Sequence, residues 1–517
     1  MTTAAPILTP QLLRTRVGKV CVAIIGDSPT EMLEKATAVL VDSTFLEFRL
    51  DYLAKPLLAL PKLKSFLAAN GAVTAIATCR RAANGGKFKG SLASELEVLQ
   101  KAAGSGFHIL DLELESAESA KKTDLAKLRH TGAGLLLSYH DFTSTKGLDA
   151  VFERMRPFEP DFYKVVSTAR TLADNITMIR FLERTSELAH VVGICMGEQG
   201  IISRVLGLRA GSAFTFAAAT AGEETAPGQV TARTLNELFR LESVDKATKI
   251  YGVAGNPVRH SLSPIMLNTA FRRETVNAVY LALHTTKIND LLTLVRELPL
   301  NGLSVTMPLK QEILEHLEKT DPLSEKIGAS NTIVRAQDGK LYGFNTDVAA
   351  IIRPLERRLT LKGAKILVLG AGGAARAAVF GLVDKGAEVY IWNRTPQTAQ
   401  KLARQAKAKT IKREAIAKTK FDVIINTTPI GMHGVKPATL LDAKEMNASL
   451  VFELVYNPLE TPFLRIAREK GIPVVTGVEM FVNQGARQFE IWTGKPAPEE
   501  EMLRVVVHAL RQQAQAK

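Results

Sequence analysis

The chain has 517 residues, 46% of them hydrophobic and 23% charged, a balance that excludes a disordered, collagen-like or coiled-coil protein. At roughly 150 residues per domain the length is too great for one hydrophobic core and predicts about three domains. The 66 Lys and Arg outnumber the 52 Asp and Glu to leave a net charge of +14, but they are scattered rather than gathered in a run, which argues for sites that hold small anions and against nucleic acid or membrane partners. In chain order, short aliphatic runs begin near Val20, Phe45, Val73, Phe107, Gly134, Asp161, His190 and Gly211, with helix-like segments such as Ser94–Ala103 and Leu172–Leu188 between most of them. Runs too apolar to alternate, each followed by a helix, read as parallel strands covered by helices. Eight such units in about 230 residues predict a closed (β/α)8 barrel rather than an open doubly wound sheet.

A short polar stretch, Leu241–Lys249, leads to a fresh strand at Ile250–Ala254, and its length predicts that the two halves sit close together. Strand–loop–helix units continue to about Asp347, and a strand, a glycine-rich turn and a helix then span Lys365–Val383. A last helix, Glu499–Gln512, is expected to pack back on an earlier domain.

The strand Ile366–Leu369 turns into its helix through Gly370-Ala371-Gly372-Gly373-Ala374-Ala375, the pattern G-x-G-x-x-A. The first glycine permits a tight turn, the second lets the backbone approach a pyrophosphate, and Ala375 is small enough for helix–strand contact. The helix N-terminus adds free N–H groups and the positive end of its dipole. Placed between strand and helix, the pattern predicts a dinucleotide site on Gly370, Gly372, Gly373 and Ala374. About 20 residues on, the strand Glu388–Trp392 runs into Asn393-Arg394-Thr395, where an NAD site would carry Asp or Glu. A carboxylate there would repel a ribose 2′-phosphate, whereas Arg394 would pair with it, so NADP(H) is the cofactor expected.

Ahead of the glycine loop stand Asn256-Pro257, Ser261-Leu262-Ser263-Pro264, Thr306-Met307-Pro308-Leu309-Lys310, Asn331-Thr332 and Asn345-Thr346-Asp347, each a polar cluster at the edge of an apolar run. Taken alone, Ser263-Pro264 reads as a helix start with Ser as N-cap and Pro at N1. That leaves Ser261, Lys310 and Asp347 unexplained. With Asn426-Thr427-Thr428-Pro429-Ile430-Gly431-Met432 and Gln484-Gly485-Ala486 in the same order, the chain from Tyr251 to about Gly494 resembles shikimate dehydrogenase. The resemblance implies that Ser261, Ser263, Thr306, Asn331, Asp347 and Gln484 hold the substrate's carboxylate and hydroxyls, and that Tyr456 lines the same cleft. It makes Lys310 and Asp347 the catalytic pair, and it adds Thr427, Met432 and Gly477 to the cofactor site beside Asn393, Arg394 and Thr395. Leu267 stands where the family has His, a residue without a catalytic role there. In physical terms, arriving hydride builds negative charge on the ketone oxygen. A protonated Lys310 would stabilise that charge and supply a proton, with Asp347 orienting the ammonium.

Active sites of barrels lie at the C-terminal ends of the strands. There this chain carries Glu47-Phe48-Arg49-Leu50-Asp51, Thr78-Cys79-Arg80, Asp111-Leu112-Glu113, Ser138-Tyr139-His140-Asp141, Lys164, and Met196 followed by Arg204. Alternation points Glu47, Arg49 and Asp51 to one face. Charge buried in a barrel mouth is costly unless paired, so such a concentration points to function. The bare pattern leaves open a sugar-phosphate aldolase or a dehydratase, each with a Schiff-base lysine. Glu-x-Arg-x-Asp, Ser-Tyr-His-Asp-Phe, Lys164, Gly200-Ile201-Ile202-Ser203-Arg204 and Ala226-Pro227-Gly228-Gln229 resemble type I 3-dehydroquinate dehydratase, over Val17 to about Leu241. The resemblance implies that Lys164 condenses with the substrate ketone and His140 moves protons. Glu47, Arg49, Arg80, Arg204, Thr225 and Gln229 would hold the substrate, the arginines suiting its carboxylate. Since an ordinary lysine is protonated at neutral pH, the mouth is expected to supply apolar burial and arginine charge that favour a free amine. Asn84-Gly85-Gly86 replaces the family's Glu-Gly-Gly, whose glutamate is expected to orient the histidine, so the orientation of His140 is left open and a slower barrel is expected. Thr225 replaces a serine and keeps the hydroxyl.

Together the resemblances cover nearly the whole chain, in the order found in bifunctional dehydroquinate dehydratase/shikimate dehydrogenase proteins. They imply an α/β chain with a (β/α)8-barrel dehydratase domain at 1–243 and a two-domain dehydrogenase after it. Its substrate-binding domain would take 250–348 plus about 488–517, and a Rossmann NADP-binding domain would take 349–487. The activity implied is dehydration of 3-dehydroquinate to 3-dehydroshikimate, then NADPH-dependent reduction to shikimate. The alternatives are a quinate/shikimate dehydrogenase with weak dehydratase activity and a metabolite-sensing homologue without catalysis. Cys21, Cys79 and Cys195 are odd in number and lack metal-ligand or redox spacing, which predicts a reducing compartment and no metal. Met1 to Pro10 lacks the layout of a signal peptide, and the longest apolar stretch, Ile366–Val383, carries Arg376 and four glycines. A cytoplasmic location is therefore expected.

Overall fold

In the computed structural model, which describes residues 13, 15–259, 261–436 and 438–515, the chain divides into two units. One ends at Thr248 and the other begins at Lys249, with the segment Asp290–Leu298 grouped with the first. The first unit carries eight strands: β1 (Val20–Ile24), β2 (Phe45–Arg49), β3 (Thr74–Thr78), β4 (Ile109–Glu113), β5 (Gly134–His140), β6 (Phe162–Thr168), β7 (Val191–Met196) and β8 (Thr215–Ala218). All pair in parallel, in the order β7-β6-β5-β4-β3-β2-β1-β8. Across the remaining seam the Ala213 N–H donates to the Val191 carbonyl at 2.8 Å, so the sheet is a nearly closed barrel. The eighth strand begins later than Gly211 because that glycine, at φ +99°, still belongs to the preceding turn.

Helices cover the outside. α1 (Leu92–Ala103) starts at Ser91, whose hydroxyl accepts from the Ser94 N–H at 3.3 Å. α2 (Leu172–Thr185) starts with a reciprocal cap between Thr171 and Asp174 and stops short of the expected Leu188. Inside, the period-2 alternation of a strand sorts each column by height. Phe45, Ile76, Ile109, Leu136 and Phe162 join Leu13, Val192 and Phe214 in an apolar floor. Two residues further along the same strands stand Glu47, Thr78, Asp111, Ser138 and Lys164, all buried, and two further still Arg49, Arg80, Glu113 and His140. The polar stretch after the barrel is anchored by Arg209, whose Nε donates to the Thr248 carbonyl at 3.1 Å.

The second unit contains two sheets. In the first, β9 (Lys249–Gly255) lies between β10 (Ala278–His284) and β11 (Leu300–Val305), all parallel. The sheet continues through β13 (Thr332–Arg335) and β14 (Leu341–Phe344), an antiparallel hairpin, to the short β12 (Lys319–Thr320). α3 (Ser263–Arg273) starts one residue earlier than expected: Leu262 is the cap position, and the Ser263 N–H donates to Ser261 Oγ at 3.2 Å. α4 (Thr346–Glu356) is capped by Asn345, whose side chain accepts from the Asp347 N–H. The second sheet is wholly parallel, with order β17 (Lys409–Thr410), β16 (Glu388–Trp392), β15 (Lys365–Leu369), β18 (Phe421–Asn426), β19 (Ala448–Glu453) and β20 (Val474–Val475). In chain order that is 3-2-1-4-5-6, the doubly wound dinucleotide-binding topology. α5 (Gly373–Asp384) follows β15 directly. α6 (Gly477–Thr493) and α7 (Glu499–Gln515) close the chain, and Val478, Phe481, Phe489 and Trp492 of α6 share one core with Met266 and Phe271 of α3 and with Met502 and Val506 of α7. The boundary expected at 487–488 therefore falls inside a helix whose packing with the first sheet's core begins at Val478.

Candidate active sites

The barrel mouth is a single charged network. Lys164 Nζ lies 3.1 Å from Asp111 Oδ2 and 3.5 Å from Glu47 Oε1, and 3.8 Å above the Phe216 ring. Glu47 Oε1 also accepts from Thr78 Oγ1 at 2.8 Å, and Asp111 Oδ1 accepts from Ser138 Oγ at 2.5 Å. Arg80 reaches Asp111 Oδ2 at 3.3 Å and pairs closely with Glu113 Oε1, which stands 2.9 Å from His140 Nδ1. The expected surround of arginine charge is thus corrected: two carboxylates stand against the lysine, because β2 and β4 bring Glu47 and Asp111 to its height in the barrel. Burial pushes His140 well below its ordinary value, with the charges of Arg80 and Lys164 adding to it. The imidazole is therefore neutral at pH 7 and able to accept a proton. Burial opposes the ionisation of both acids. For Asp111 the charges of Lys164 and Arg80 outweigh it and the carboxyl lies below its usual range, while Glu113 is pushed up to about 7.

The three arginines differ. Arg49 is locked to Asp51 by two bonds of 2.9 and 2.8 Å, and Arg80 is taken by its acids. Arg204 is 2% exposed and donates only to the Phe216 carbonyl, at 3.3 Å; its Nε and Nη2 are buried and have no partner among the described residues. Burial lowers its guanidinium to about 10. Gln229 is buried, and its Oε1 accepts from the Thr225 N–H and hydroxyl at 2.7 and 3.1 Å, which closes the loop above the mouth. The sequence placed Asp51, Asp111 and Glu113 at the strand ends but assigned them no role, and it did not single out Phe216. The two acids of β4 sit two residues apart on one face, the same alternation that singled out Glu47 and Arg49.

In the second unit, Lys310, Asn331 and Asp347 come together beside the strands of the first sheet. Lys310 Nζ donates to Asp347 Oδ2 at 2.6 Å, and Asn331 Nδ2 donates to Asp347 Oδ1 at 2.8 Å. Asn331 is itself fixed, since its Oδ1 accepts from the Thr346 N–H and from Thr332 Oγ1, each at 2.8 Å. Ser263 is buried, while Ser261, Thr306 and Gln484 are half-buried, and the Thr306 N–H pairs with the Ala254 carbonyl at the end of β9. Tyr456 stacks on Phe481 of α6 with ring centroids 4.4 Å apart. Gln488, which sequence reading missed, staples α6 to the sheet: Oε1 accepts from Ser304 at 2.7 Å and Nε2 donates to Thr332 Oγ1 at 3.0 Å.

At the second sheet, Gly370 takes φ +119°, and a Cβ there would lie 2.6 Å from Thr427 Oγ1. A Cβ on Gly372 or Gly373 would meet nothing within 4 Å, and both are exposed, so open space lies over the start of α5 at the switch point between β15 and β18. Ala374 is half-buried beside them. Beyond β16, Asn393 Nδ2 donates to the Thr395 carbonyl, and Arg394 and Thr395 are exposed; Arg394 has no ion-pair partner among the described residues. Met432 is half-buried. Gly477 is buried, and a Cβ on it would fall 2.2 Å from the Val455 carbonyl oxygen, which gives this glycine a packing reason as well.

Residues 20–246 match the family described as Type I 3-dehydroquinase, 253–333 the shikimate dehydrogenase substrate binding domain, 354–452 shikimate/quinate 5-dehydrogenase, and 477–507 the shikimate 5′-dehydrogenase C-terminal domain. The bifunctional 3-dehydroquinate dehydratase/shikimate dehydrogenase of Arabidopsis thaliana, named as chloroplastic, is 33% identical over 509 residues, covering 93% of this chain and 83% of the plant protein. The shikimate dehydrogenase (NADP(+)) of Methanosarcina acetivorans is 40% identical over 283 residues, 51% of this chain and 99% of its own. Among solved structures, shikimate 5-dehydrogenase from Thermus thermophilus with NADP(H) and shikimate is 36% identical with a TM-score of 0.48, over 51% of this chain and all of that one.

Proposed function

Since the chain belongs to the bifunctional 3-dehydroquinate dehydratase/shikimate dehydrogenases, we propose which of its residues carry the two reactions. It is a lyase and an oxidoreductase in one molecule. In the barrel, the Lys164 amine attacks the ketone carbon of 3-dehydroquinate and a water leaves. The imine that forms draws electrons from the adjacent C–H, and His140 removes that proton while the electron pair moves into an enamine. The enamine expels the β-hydroxyl, which takes the proton back from His140 and departs as water, and hydrolysis of the imine frees 3-dehydroshikimate. Arg204 holds the substrate carboxylate; its buried, unpartnered Nε and Nη2 are the observation that carries this reading, because a guanidinium so placed calls for an anion. Glu47 and Gln229 flank the ring, Arg49 and Arg80 order the acids around it, and Thr225 fixes Gln229.

In the second unit we assign Lys310 as the acid that meets the developing alkoxide, Asp347 as its partner and Asn331 as the group that orients Asp347. Ser261, Ser263, Thr306, Tyr456 and Gln484 line the substrate cleft. The open cradle over Gly372 and Gly373 fits a pyrophosphate, with Gly370, Ala374, Asn393, Thr395, Thr427, Met432 and Gly477 around it. Arg394, which no carboxylate pairs among the described residues, fits a 2′-phosphate, so the pyridine nucleotide is NADP(H), which supplies the hydride when bound. The domains are then the barrel to about residue 243, a substrate domain of 250–348 with the C-terminal helices from 477, and a nucleotide domain between. The three thiols Cys21, Cys79 and Cys195 are free and buried, which supports a reducing compartment such as the cytoplasm. Among the described residues no helix is long and apolar enough to cross a membrane.

One cuvette tests the assignment. Dehydroquinate should give rising enone absorbance and then NADPH consumption, and borohydride with substrate should leave an adduct on Lys164. A chain that forms no adduct refutes the imine step, and an NAD preference of a hundredfold in kcat/KM refutes the role of Arg394.

A further inference from the structure

We propose that Glu113 is the positioning residue of the dehydratase, the carboxylate that holds His140 toward the substrate and answers the charge it gains, in place of a residue at position 84. The inference deepens the roles of Lys164 and His140 given above and rests on them. Glu113 and His140 are the last residues of the adjacent strands β4 and β5, so backbone pairing fixes both; Glu113 lies opposite Ser138, one step down the inward column that ends in His140. Their side chains are 2% and 7% exposed and approach to 2.9 Å. Neither Oε1 nor Nδ1 is aligned as a hydrogen bond, and with the imidazole neutral the carboxylate acts on the charge that the ring gains. Asn84, by contrast, has no side-chain hydrogen bond among the described residues, and its Nδ2 is buried without a partner.

The charged groups facing the imidazole are Arg49 from β2, Arg80 after β3, Asp111 and Glu113 from β4, and Lys164 from β6. Asp51 neutralises Arg49, and Asp111 is engaged by Lys164 and Arg80. Glu113 is thus the carboxylate in contact with the ring. When His140 takes the substrate proton it becomes a cation beside Arg80 and Lys164, and without Glu113 that charge would have no adjacent counter-ion. The role requires the ionised carboxylate. Because burial pushes Glu113 up to about 7, dehydration should slow as the pH falls through neutrality.

The test uses the full chain with Glu113→Gln and Glu113→Asp. Glu113→Gln should cut dehydratase kcat by about 10²-fold, the usual weight of a proton-transfer step, with little change in KM. The acid limb of the kcat profile should vanish or move to lower pH in Glu113→Gln and persist in Glu113→Asp. Borohydride should still trap the Lys164 adduct in Glu113→Gln, since the nucleophile is untouched. Near-normal turnover, a loss that leaves the acid limb in place, or an adduct formed by the wild type but not by Glu113→Gln would each overturn the role. No adduct in the wild type would instead remove the Lys164 assignment on which it rests.

Discussion

A guanidinium buried without a counter-ion is among the costlier groups a folded chain retains, and Arg204 is such a group. Its cost and its use are opposed. Arg204→Leu should raise KM for 3-dehydroquinate at least about tenfold, as expected for a lost charge-assisted pair. The same variant should melt no lower than the wild type, because replacing a buried charge with an apolar side chain is often neutral or stabilising by about 1–4 kcal/mol. A melting temperature lowered by the substitution, with KM unchanged, would make Arg204 a structural residue. The sequence put all three arginines at the mouth but could not say which was free. Alternation tells which way a side chain points, whereas which acid each arginine meets, Asp51 two residues on for Arg49 and Asp111 and Glu113 of the neighbouring β4 for Arg80, depends on the reach of the side chains. The tie of Glu113 to His140 was hidden for the same reason: the two are close only once β4 and β5 are side by side.

At the scale of elements, the strand ends around the nucleotide site hang on one buried carboxylate. Glu453, the last residue of β19, accepts from Asn426 Nδ2 at the end of β18, from the Val455 N–H, each at 2.9 Å, and from Thr461 Oγ1 at 2.8 Å. No cation is among these partners, and burial pushes its carboxyl up to about 7 from 4.5. Folding therefore favours the protonated form. That contribution is fully present below pH 4.5 and is lost as the pH rises through 7, a swing of up to about 3 kcal/mol. Glu453→Gln keeps an oxygen for Asn426 and Val455 and offers its amide to Thr461 without titrating. In urea unfolding at pH 8 it should stabilise the second unit by about 1–3 kcal/mol, the gap narrowing as the pH falls toward 4.5. A gap that does not vary with pH would mean that Glu453 stays ionised in the fold. The elements themselves were largely legible, since unbroken apolar runs mark strands covered on both faces. The errors lay at ends: α3 starts at Ser263 rather than being capped by it, and α6 runs through the expected domain boundary because its apolar face serves the first sheet's core.

The two units have separate cores, and each contains one of the two lysines proposed as catalytic. Groups that share no partner act independently. Lys164→Ala should abolish dehydration yet leave shikimate oxidation with NADP within about twofold. Lys310→Ala should do the reverse, lowering reductase kcat at least about 10²-fold with dehydration intact. Mixing the two variants should restore conversion of dehydroquinate to shikimate, and a loss at the untouched site would show that the halves are coupled. This bipartite plan was readable because each half carries several motifs in fixed order. The contacts of Glu47 and Asp111 with Lys164 were not, since they need β2, β4 and β6 held in one barrel.

The barrel stands on a floor of aromatic rings. With Phe45, Phe162 and Phe214 plugging the lower end, the compound that enters and the compound that is released use a single doorway. Each turnover must clear it before the next begins, so accumulated enone should compete directly with fresh dehydroquinate for access.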